Sequence, residues 1–150
     1  MPKINLFLDS SALFSGIVSS TGGARALLLL AESNQILITI SEQVVAETER
    51  AIARKVPKAL ADLREAILAS NVQIVHDPSP KEVQANLHLI SHAADVPIIL
   101  AAMGANVDFL VTHNRIHFID DPEVAVRSSL KIGTPGDALI WVREQISSER

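Results

Sequence analysis

The stretch INLFLD, at residues 4–9, is an apolar run that ends in a carboxylate. A continuous apolar run of this kind is typical of a strand that helices cover on both faces of a parallel sheet. Residues 36–40, with the sequence ILITI, show the same pattern, so we predict that both runs are central strands. Asp9 would then lie at the carboxyl end of its strand, where open α/β sheets place their ligands.

Outward from these two runs, strands and helices alternate. We predict further strands at residues 72–75, nearer an edge of the sheet, at 108–112, and at 130–132. Apolar periodicity and capping residues predict helices at 24–33, 41–55, 56–70, 81–92, 96–105 and 136–147. The connections are too long for hairpins. We therefore expect a three-layer α/β/α sandwich around a mainly parallel sheet of about five strands.

Length and composition restrict the class of protein. With 150 residues and 48% apolar residues, the chain can bury one sizeable core, and we expect a single domain over residues 1–150. It has no cysteine, which excludes a disulfide framework and a thiolate metal site. The amino-terminal apolar stretch is broken by Asp9 and is too short to span a membrane, and we expect a cytoplasmic protein with no membrane partner. The net charge of −4 argues against nucleic-acid binding through a broadly basic surface.

Three carboxylates occupy comparable places in the predicted fold. Asp9 ends the first strand, Glu47 lies in the helix after the second strand, and Asp95 opens the helix before the fourth. These places lie at the edge of the sheet where loops gather over the crevice, so the three side chains could converge. Carboxylates forced together repel one another unless a hard cation lies between them. Because the ligands are oxygens, Mg²⁺ or Mn²⁺ is the natural occupant.

Each carboxylate also has a purely structural interpretation. Asp9 could accept hydrogen bonds from the amides of the turn that follows its strand. Glu47 could pair with Arg50, three residues on in the same helix. Asp95 precedes Val96 and Pro97, and could simply cap their helix. The chemical interpretation therefore depends on the three residues as a set.

The chain resembles the PIN-domain nucleases. The resemblance is carried by LFLDSSALFSGI at residues 6–17, by Glu47 within SEQVVAETER, and by ADVPIILAAMGANVDFLVTHNRIHF at residues 94–118. It extends to the Gly133-Thr134-Pro135 segment before the last helix. The order and spacing of these segments are more specific than any one of them. The family's fold is the α/β/α sandwich that the strand and helix pattern predicts.

The resemblance implies a metal-dependent ribonuclease and assigns roles to individual residues. Asp9, Glu47 and Asp95 fall on the first three acidic positions of the family and would bind Mg²⁺ or Mn²⁺, with Glu47 as a third ligand or as the group that orients the attacking water. Ser11 falls on the small polar residue after the first aspartate. Thr112 falls on the threonine that precedes the fourth acidic position, and Ser11 and Thr112 would both contact the substrate.

The fourth acidic position of the resembled family is occupied here by Asn114. Asparagine offers a carbonyl oxygen to a metal or to its bound water but brings no negative charge. We expect Asn114 and Thr112 at the rim of the site, and Arg115 as a contact to substrate phosphate. His113 and His117 are weaker candidates for phosphate contacts.

The resemblance also implies partners. The substrate would be RNA, single-stranded or looped, because such a strand bends into a narrow cleft more easily than a duplex does. Many members of the resembled family are toxins held inactive by an antitoxin laid over the cleft, which raises an antitoxin as a second partner. Four consecutive leucines, at residues 27–30, leave the fourth pointing away from one packing surface, and this raises a homodimer or an antitoxin groove.

Two other functions compete with the nuclease. One is a catalytically weakened PIN-like interaction module, since the fourth acid is replaced by Asn114. The other is a phosphoacceptor domain of the response-regulator type, which would use a lysine on the last strand, here Lys131. That domain needs an acidic pair after the first strand, where this chain has Ser10 and Ser11, so the fit is poor.

Overall fold

The computed structural model describes residues 3–149 and contains a parallel sheet. Its strands are β1 (Asn5–Leu8), β2 (Leu37–Ser41), β3 (Gln73–Val75), β4 (Phe109–Val111) and β5 (Ile132–Gly133). They lie in the order β3-β2-β1-β4-β5, and every pairing is parallel. The predicted mainly parallel sheet is therefore confirmed, and so is the edge position of the third strand.

Helices connect successive strands. Over the described residues they are α1 (Ser10–Val18), α2 (Gly23–Glu32), α3 (Glu42–Lys55), α4 (Leu60–Ala69), α5 (Pro80–Ala85), α6 (Val96–Gly104), α7 (Glu123–Ser128) and α8 (Pro135–Ser148). With right-handed crossovers, this strand order places α1 to α4 on one face of the sheet and α5 to α7 on the other. The contacts of α1 with α2, α3 and α4, and of α8 with α2, agree with that arrangement. The fold is thus the expected α/β/α sandwich.

The central strands are buried on both faces. Leu6, Phe7 and Leu8 are each 0% exposed, as are Ile38 and Ile40. Because successive side chains of a strand point to opposite faces, consecutive buried residues require packing on both sides of the sheet. This double burial is what the apolar runs of the sequence predicted.

Several boundaries differ from the predicted ones. Helix α1 was not predicted, and it begins directly after Asp9, which caps it by accepting a hydrogen bond from Ala12 N. Helix α5 ends at Ala85 rather than continuing to residue 92, because the Asn86 side chain folds back to donate to the Glu82 carbonyl. Among the four leucines of α2 the exposed one is Leu29, at 52%, and not the fourth.

Two further elements start later than predicted. The predicted helix over 56–70 begins at Leu60, after a 3₁₀ turn at Pro57–Ala59, since Val56 leaves the helical region, with φ of −144° and ψ of 62°, and ends α3. The fifth strand comprises Ile132–Gly133 rather than residues 130–132.

Within residues 3–149 no single helix is long and apolar enough to cross a membrane, although α1 and α2, bent by 85°, together reach that length and composition.

Candidate active site

Strands β1 and β4 are neighbours at the centre of the sheet, where the chain reverses its direction of travel across the strands. From β1 the chain moves outward through β2 to β3, and then crosses back to β4 on the other side of β1. Ligands of open α/β sheets bind at the carboxyl ends of the strands at such a switch point. Asp9 directly follows β1 and Thr112 directly follows β4, so both lie there.

Asp9 is held by hydrogen bonds to both of its carboxylate oxygens. Its Oδ1 accepts from Ser11 Oγ at 2.7 Å and from Ala12 N at 2.9 Å. Its Oδ2 accepts from Thr112 Oγ1 at 2.5 Å. The side chain is therefore fixed in one orientation, and Asp9 is only 6% exposed.

Burial raises the pKa of Asp9 above its ordinary value. The hydrogen bonds from Thr112, Ser11 and Ala12 act in the opposite direction, and the charge of Asp95 raises the pKa further. Asp95 is thus close enough to Asp9 to repel it. The structure brings together two of the three predicted carboxylates across a separation of more than eighty residues in the sequence.

Glu47 lies on the second turn of α3, near the turn that carries Asp95. Its Oε2 accepts a hydrogen bond from Gln43 Nε2 at 3.4 Å, and the same nitrogen donates to the Ala94 carbonyl at 3.2 Å. Gln43 therefore ties Glu47 to the turn that carries Asp95. The ion pairs found in residues 3–149 do not include the predicted structural pair of Glu47 with Arg50.

Asp95 is not used as a helix cap. It sits at the N-cap position of α6, but its side chain makes no capping hydrogen bond there. Instead its Oδ2 lies 2.9 Å from His92 Nδ1 and 3.3 Å from His117 Nδ1. The two imidazole rings stack on each other, with centroids 4.2 Å apart and planes inclined by 14°. The capping interpretation of Asp95 therefore does not describe its side chain.

Asn114 contacts His117 through both ends of its amide. It caps a single π-helical turn, Arg115–Ile119, with its Oδ1 accepting from His117 N at 3.1 Å. Its Nδ2 lies 3.1 Å from His117 Nδ1. Asn114 is thus joined to Asp95 through His117.

The residues predicted to contact substrate are placed as follows. Ser11 Oγ donates to Asp9 and accepts from His113 N at 3.0 Å. The buried Thr112 Oγ1 donates to Asp9 and accepts from Asn114 N at 2.9 Å. Both hydroxyl protons are therefore used on Asp9. The exposed Arg115 guanidinium lies 4.0 Å from Asp120, on the solvent side of the same turn.

The prediction from sequence missed His92. Its side chain is 49% exposed, and the sequence pattern placed it only as the last residue of the predicted helix over 81–92. The signal that could have found it is its spacing of three residues from Asp95, which in one turn brings two side chains to the same side.

Lys131 cannot serve a phosphoacceptor site with Asp9. It precedes β5, and so lies at the amino edge of the parallel sheet, opposite the edge where Asp9 ends β1. Its Nζ lies over the Trp141 ring, 5.9 Å from the centroid. Lys131 therefore cannot be the lysine that a response-regulator site at Asp9 would require.

The donor set fits a divalent cation. The buried Asp9 carboxylate has hydroxyl and amide donors around it, and the charge of Asp95 repels it. Glu47 is partly exposed beside the same turn. Carboxylate oxygens are the ligands that Mg²⁺ and Mn²⁺ take.

Comparisons with known proteins agree with this architecture. The chain is similar to VapBC2 from Rickettsia felis, crystallised with a DNA fragment from their promoter, at 22% identity and a TM-score of 0.60 over 87% of this chain and 98% of that one. It is also similar to PAE2754 from Pyrobaculum aerophilum, at 14% identity and a TM-score of 0.64 over 94% and 96% of the two chains. Both likenesses are in the fold.

No curated protein matches the chain in sequence. A family match does exist: the sequence model described as PIN domain matches residues 5–116, which include β1 to β4 and the predicted site residues from Asp9 to Arg115. This match covers most of the chain and agrees with the order of the three signature segments. The chain belongs to the PIN domain family.

Proposed function

We propose that the protein is a ribonuclease that uses Mg²⁺ or Mn²⁺ to hydrolyse phosphodiester bonds of RNA in the cytoplasm. The observation that carries the proposal is the buried Asp9, fixed through both carboxylate oxygens at the switch point of the sheet, with Asp95 near enough to raise its pKa. Repelling carboxylates in this position are stabilised together by a divalent cation. Because the chain belongs to a family of nucleases, we assign phosphodiester hydrolysis to this site.

The contacts of each residue indicate its proposed role in the reaction. Asp9 and Asp95 would hold the cation, and Glu47, held beside them by Gln43, would complete the ligands or orient the attacking water. When bound, the cation supplies an activated water and stabilises the charge that develops on the phosphate oxygens. Ser11 and Thr112 act by orienting Asp9.

Two other residues would act at the rim of the site. Asn114 would fix His117 beside Asp95, through both of its amide contacts. The exposed Arg115 would exchange its long 4.0 Å contact with Asp120 for a contact to substrate phosphate.

The test is cleavage of a mixed RNA pool by the purified protein. We expect cleavage that requires Mn²⁺, stops on chelation, and falls by at least about a hundredfold in Asp9→Asn, since a loss of about 2.7 kcal/mol of transition-state stabilisation has that effect. Asp62→Asn removes one exposed carboxylate on α4 and serves as the matched control, with unchanged cleavage. Cleavage that persists in Asp9→Asn would come from a different site or a contaminant and would contradict the proposal.

A weakened PIN-like interaction module is the second candidate. It is favoured by one observation: the Asn114 carbonyl oxygen is already used as the cap of the Arg115–Ile119 turn, so the fourth family position is engaged in loop structure. The cleavage experiment separates the two candidates. A module would bind Mn²⁺ through Asp9 yet release no RNA fragments.

We further propose a protein partner for the nuclease. VapBC2 of Rickettsia felis was crystallised with promoter DNA, which fits a toxin held by a DNA-binding antitoxin. Here the half-exposed Leu29 of α2 adjoins a groove lined by Leu30, Leu139 and Ile146, between α2 and α8. This groove is a surface for an antitoxin helix or a second copy of the chain. Light scattering of the pure protein distinguishes the homodimer from the monomer.

A further inference from the structure

We propose that His92, Asp95 and His117 form a second metal site, selective for a divalent transition metal that takes nitrogen ligands, with Zn²⁺ as the best fit. The site differs in chemistry from the oxygen-only pocket at Asp9, although Asp95 lies between the two. Imidazole nitrogens suit Zn²⁺ and Co²⁺, whereas Mg²⁺ is held by oxygen ligands.

The separations of the donor atoms match those of ligands around one ion. The three donor atoms lie within 4.8 Å of one another, and Asp95 Oδ2 lies 2.9 Å from one histidine Nδ1 and 3.3 Å from the other. Metal–ligand distances of about 2.0–2.2 Å place neighbouring ligand atoms about 3 to 3.5 Å apart. The three donor atoms therefore already have the separations that one ion needs, and the stacked rings must turn about their side-chain torsions for both lone pairs to meet at it.

The two histidines present the same nitrogen in the same direction. Their rings stack with an inclination of only 14°, and both Nδ1 atoms approach one oxygen of Asp95. His92 and His117 come from segments 25 positions apart in the chain, so this alignment is not imposed by one turn. The side chains are 49% and 34% exposed, which leaves a path for the ion and room for water in the remaining coordination positions.

Hydrogen bonding accounts for only one of the two histidine contacts. His92 Nδ1 can donate a proton to Asp95 Oδ2. His117 Nδ1 instead faces the amide nitrogen of Asn114, whose orientation is fixed because its carbonyl oxygen accepts from His117 N. His117 Nδ1 then accepts from the Asn114 amide and lies 3.3 Å from an acceptor oxygen of Asp95, so an ion bound by His117 would displace the amide nitrogen of Asn114. Two acceptors at that distance are stabilised by a cation between them.

An ion held by the two histidines would engage the carboxylate that the nuclease needs. This consequence rests on the proposed function: Zn²⁺ would inhibit Mn²⁺-dependent cleavage by competing for Asp95. The binding itself does not depend on that function, because it is measured without RNA.

The experiment is a Co²⁺ titration of the metal-free protein, followed by its visible absorption, and then by displacement with Zn²⁺. We expect one tight Co²⁺ in the wild type, and an affinity at least about tenfold lower in His92→Ala and in His117→Ala, since even outer-shell partners of a metal contribute that much. His88→Ala removes an exposed histidine outside the cluster and is the matched control. Equal affinity in the wild type and both cluster variants would overturn the proposal.

Two further variants and one spectrum complete the test. Asp9→Asn should retain the Co²⁺ spectrum, and its loss there would assign the ion to the oxygen pocket instead. His117→Gln keeps a polar side chain of similar reach and should lose affinity as His117→Ala does. Nitrogen NMR of the imidazoles should show Zn²⁺ shifting Nδ1 of His92 and His117; shifts at Nε2, or at His88, would contradict the geometry.

Discussion

Asp9 is both the cap of α1 and the buried carboxylate of the candidate site. The first role is structural and uses Oδ1, which accepts from Ala12 N. The second role depends on Oδ2, on burial and on Asp95. The structural interpretation of Asp9 is therefore realised through Oδ1, and the role in metal binding that we propose would use the other oxygen of the same side chain.

Because its pKa is raised in the folded protein, Asp9 makes the stability of the metal-free protein depend on pH. The folded state holds the Asp9 proton at pH values where the unfolded chain has released it. This stabilisation is complete below the ordinary pKa of 3.8 and is lost as the pH rises through the folded-state pKa. Asp9→Asn has no carboxyl proton to release, so this pH-dependent loss is absent from the variant. Its free energy of unfolding near neutrality should equal that of the wild type or exceed it by up to about 1 kcal/mol.

Urea denaturation with chelator present, repeated over a series of pH values, measures this difference. The free energy of unfolding of the wild type should fall relative to that of Asp9→Asn as the pH rises. Parallel curves for the two proteins, or a clear loss of stability in Asp9→Asn near neutrality, would show that the capping role of Asp9 outweighs its electrostatic cost.

The sequence predicted the acidic residues of the site better than their surroundings. Asp9 was identifiable because a carboxylate ended an apolar run, and Asp95 because of the family segment that contains it. The stacked pair of His92 and His117 was not predictable, since it depends on how the Arg115–Ile119 turn folds over Asp95. Such contacts between loops leave no periodic signal in a sequence.

At the scale of the elements, several helices end with a residue in the left-handed region. Asn34, Asn71 and Asn106 follow α2, α4 and α6 with φ of 63°, 50° and 53°. After α2, Gln35 N donates to the Leu30 carbonyl and Asn34 N to the Ala31 carbonyl, so the last carbonyls of the helix are satisfied. Asparagine tolerates this conformation better than other residues with a Cβ.

Asn34 therefore has a conformational role that a pair of substitutions can isolate. Asn34→Ala should lower the free energy of unfolding by about 1 kcal/mol, because alanine is strained at positive φ. Asn34→Gly should not, since glycine adopts that conformation without a steric penalty. Thermal or urea unfolding of the two variants measures this. Equal losses in both would instead indicate that the asparagine side chain itself makes the stabilising contact.

A comparison of the predicted and observed strands and helices shows which physical signals a sequence carries. The strands at 4–8 and 36–40 were predicted within one residue because double burial demands continuous apolar residues. Helix α1 was missed because Asp9, Ser10 and Ser11 are as typical of a turn as of a helix start. The end of α5 was missed because the Asn86 hydrogen bond to Glu82 is a local competition that periodicity does not show.

For the whole molecule, we predict that the chain unfolds as one unit. Its core is a continuous cluster that includes side chains from β1, β2, β4 and α8, such as Leu6, Ile40, Phe109 and Val142. Trp141, the only tryptophan, lies on α8 against Phe109 of β4, 5.6 Å between ring centroids, so its fluorescence reports the docking of the last helix. Far-UV circular dichroism reports all helices. The two probes should give the same midpoint in urea.

A separate transition of Trp141 would contradict that prediction. It would mean that α8 separates from the sheet before the sheet unfolds, and that residues 1–150 do not form one cooperative domain.

The most direct test of the central claim is Mn²⁺ binding by the metal-free protein, measured from the loss of the electron paramagnetic resonance signal of free Mn²⁺. The claim is that Asp9 and Asp95 form a cation site at the switch point of the sheet. We predict stoichiometric binding by the wild type and by the control Asp62→Asn, and an affinity at least about tenfold weaker in Asp9→Asn, equivalent to about 1.4 kcal/mol. Equal Mn²⁺ affinity in the wild type and Asp9→Asn would contradict the account.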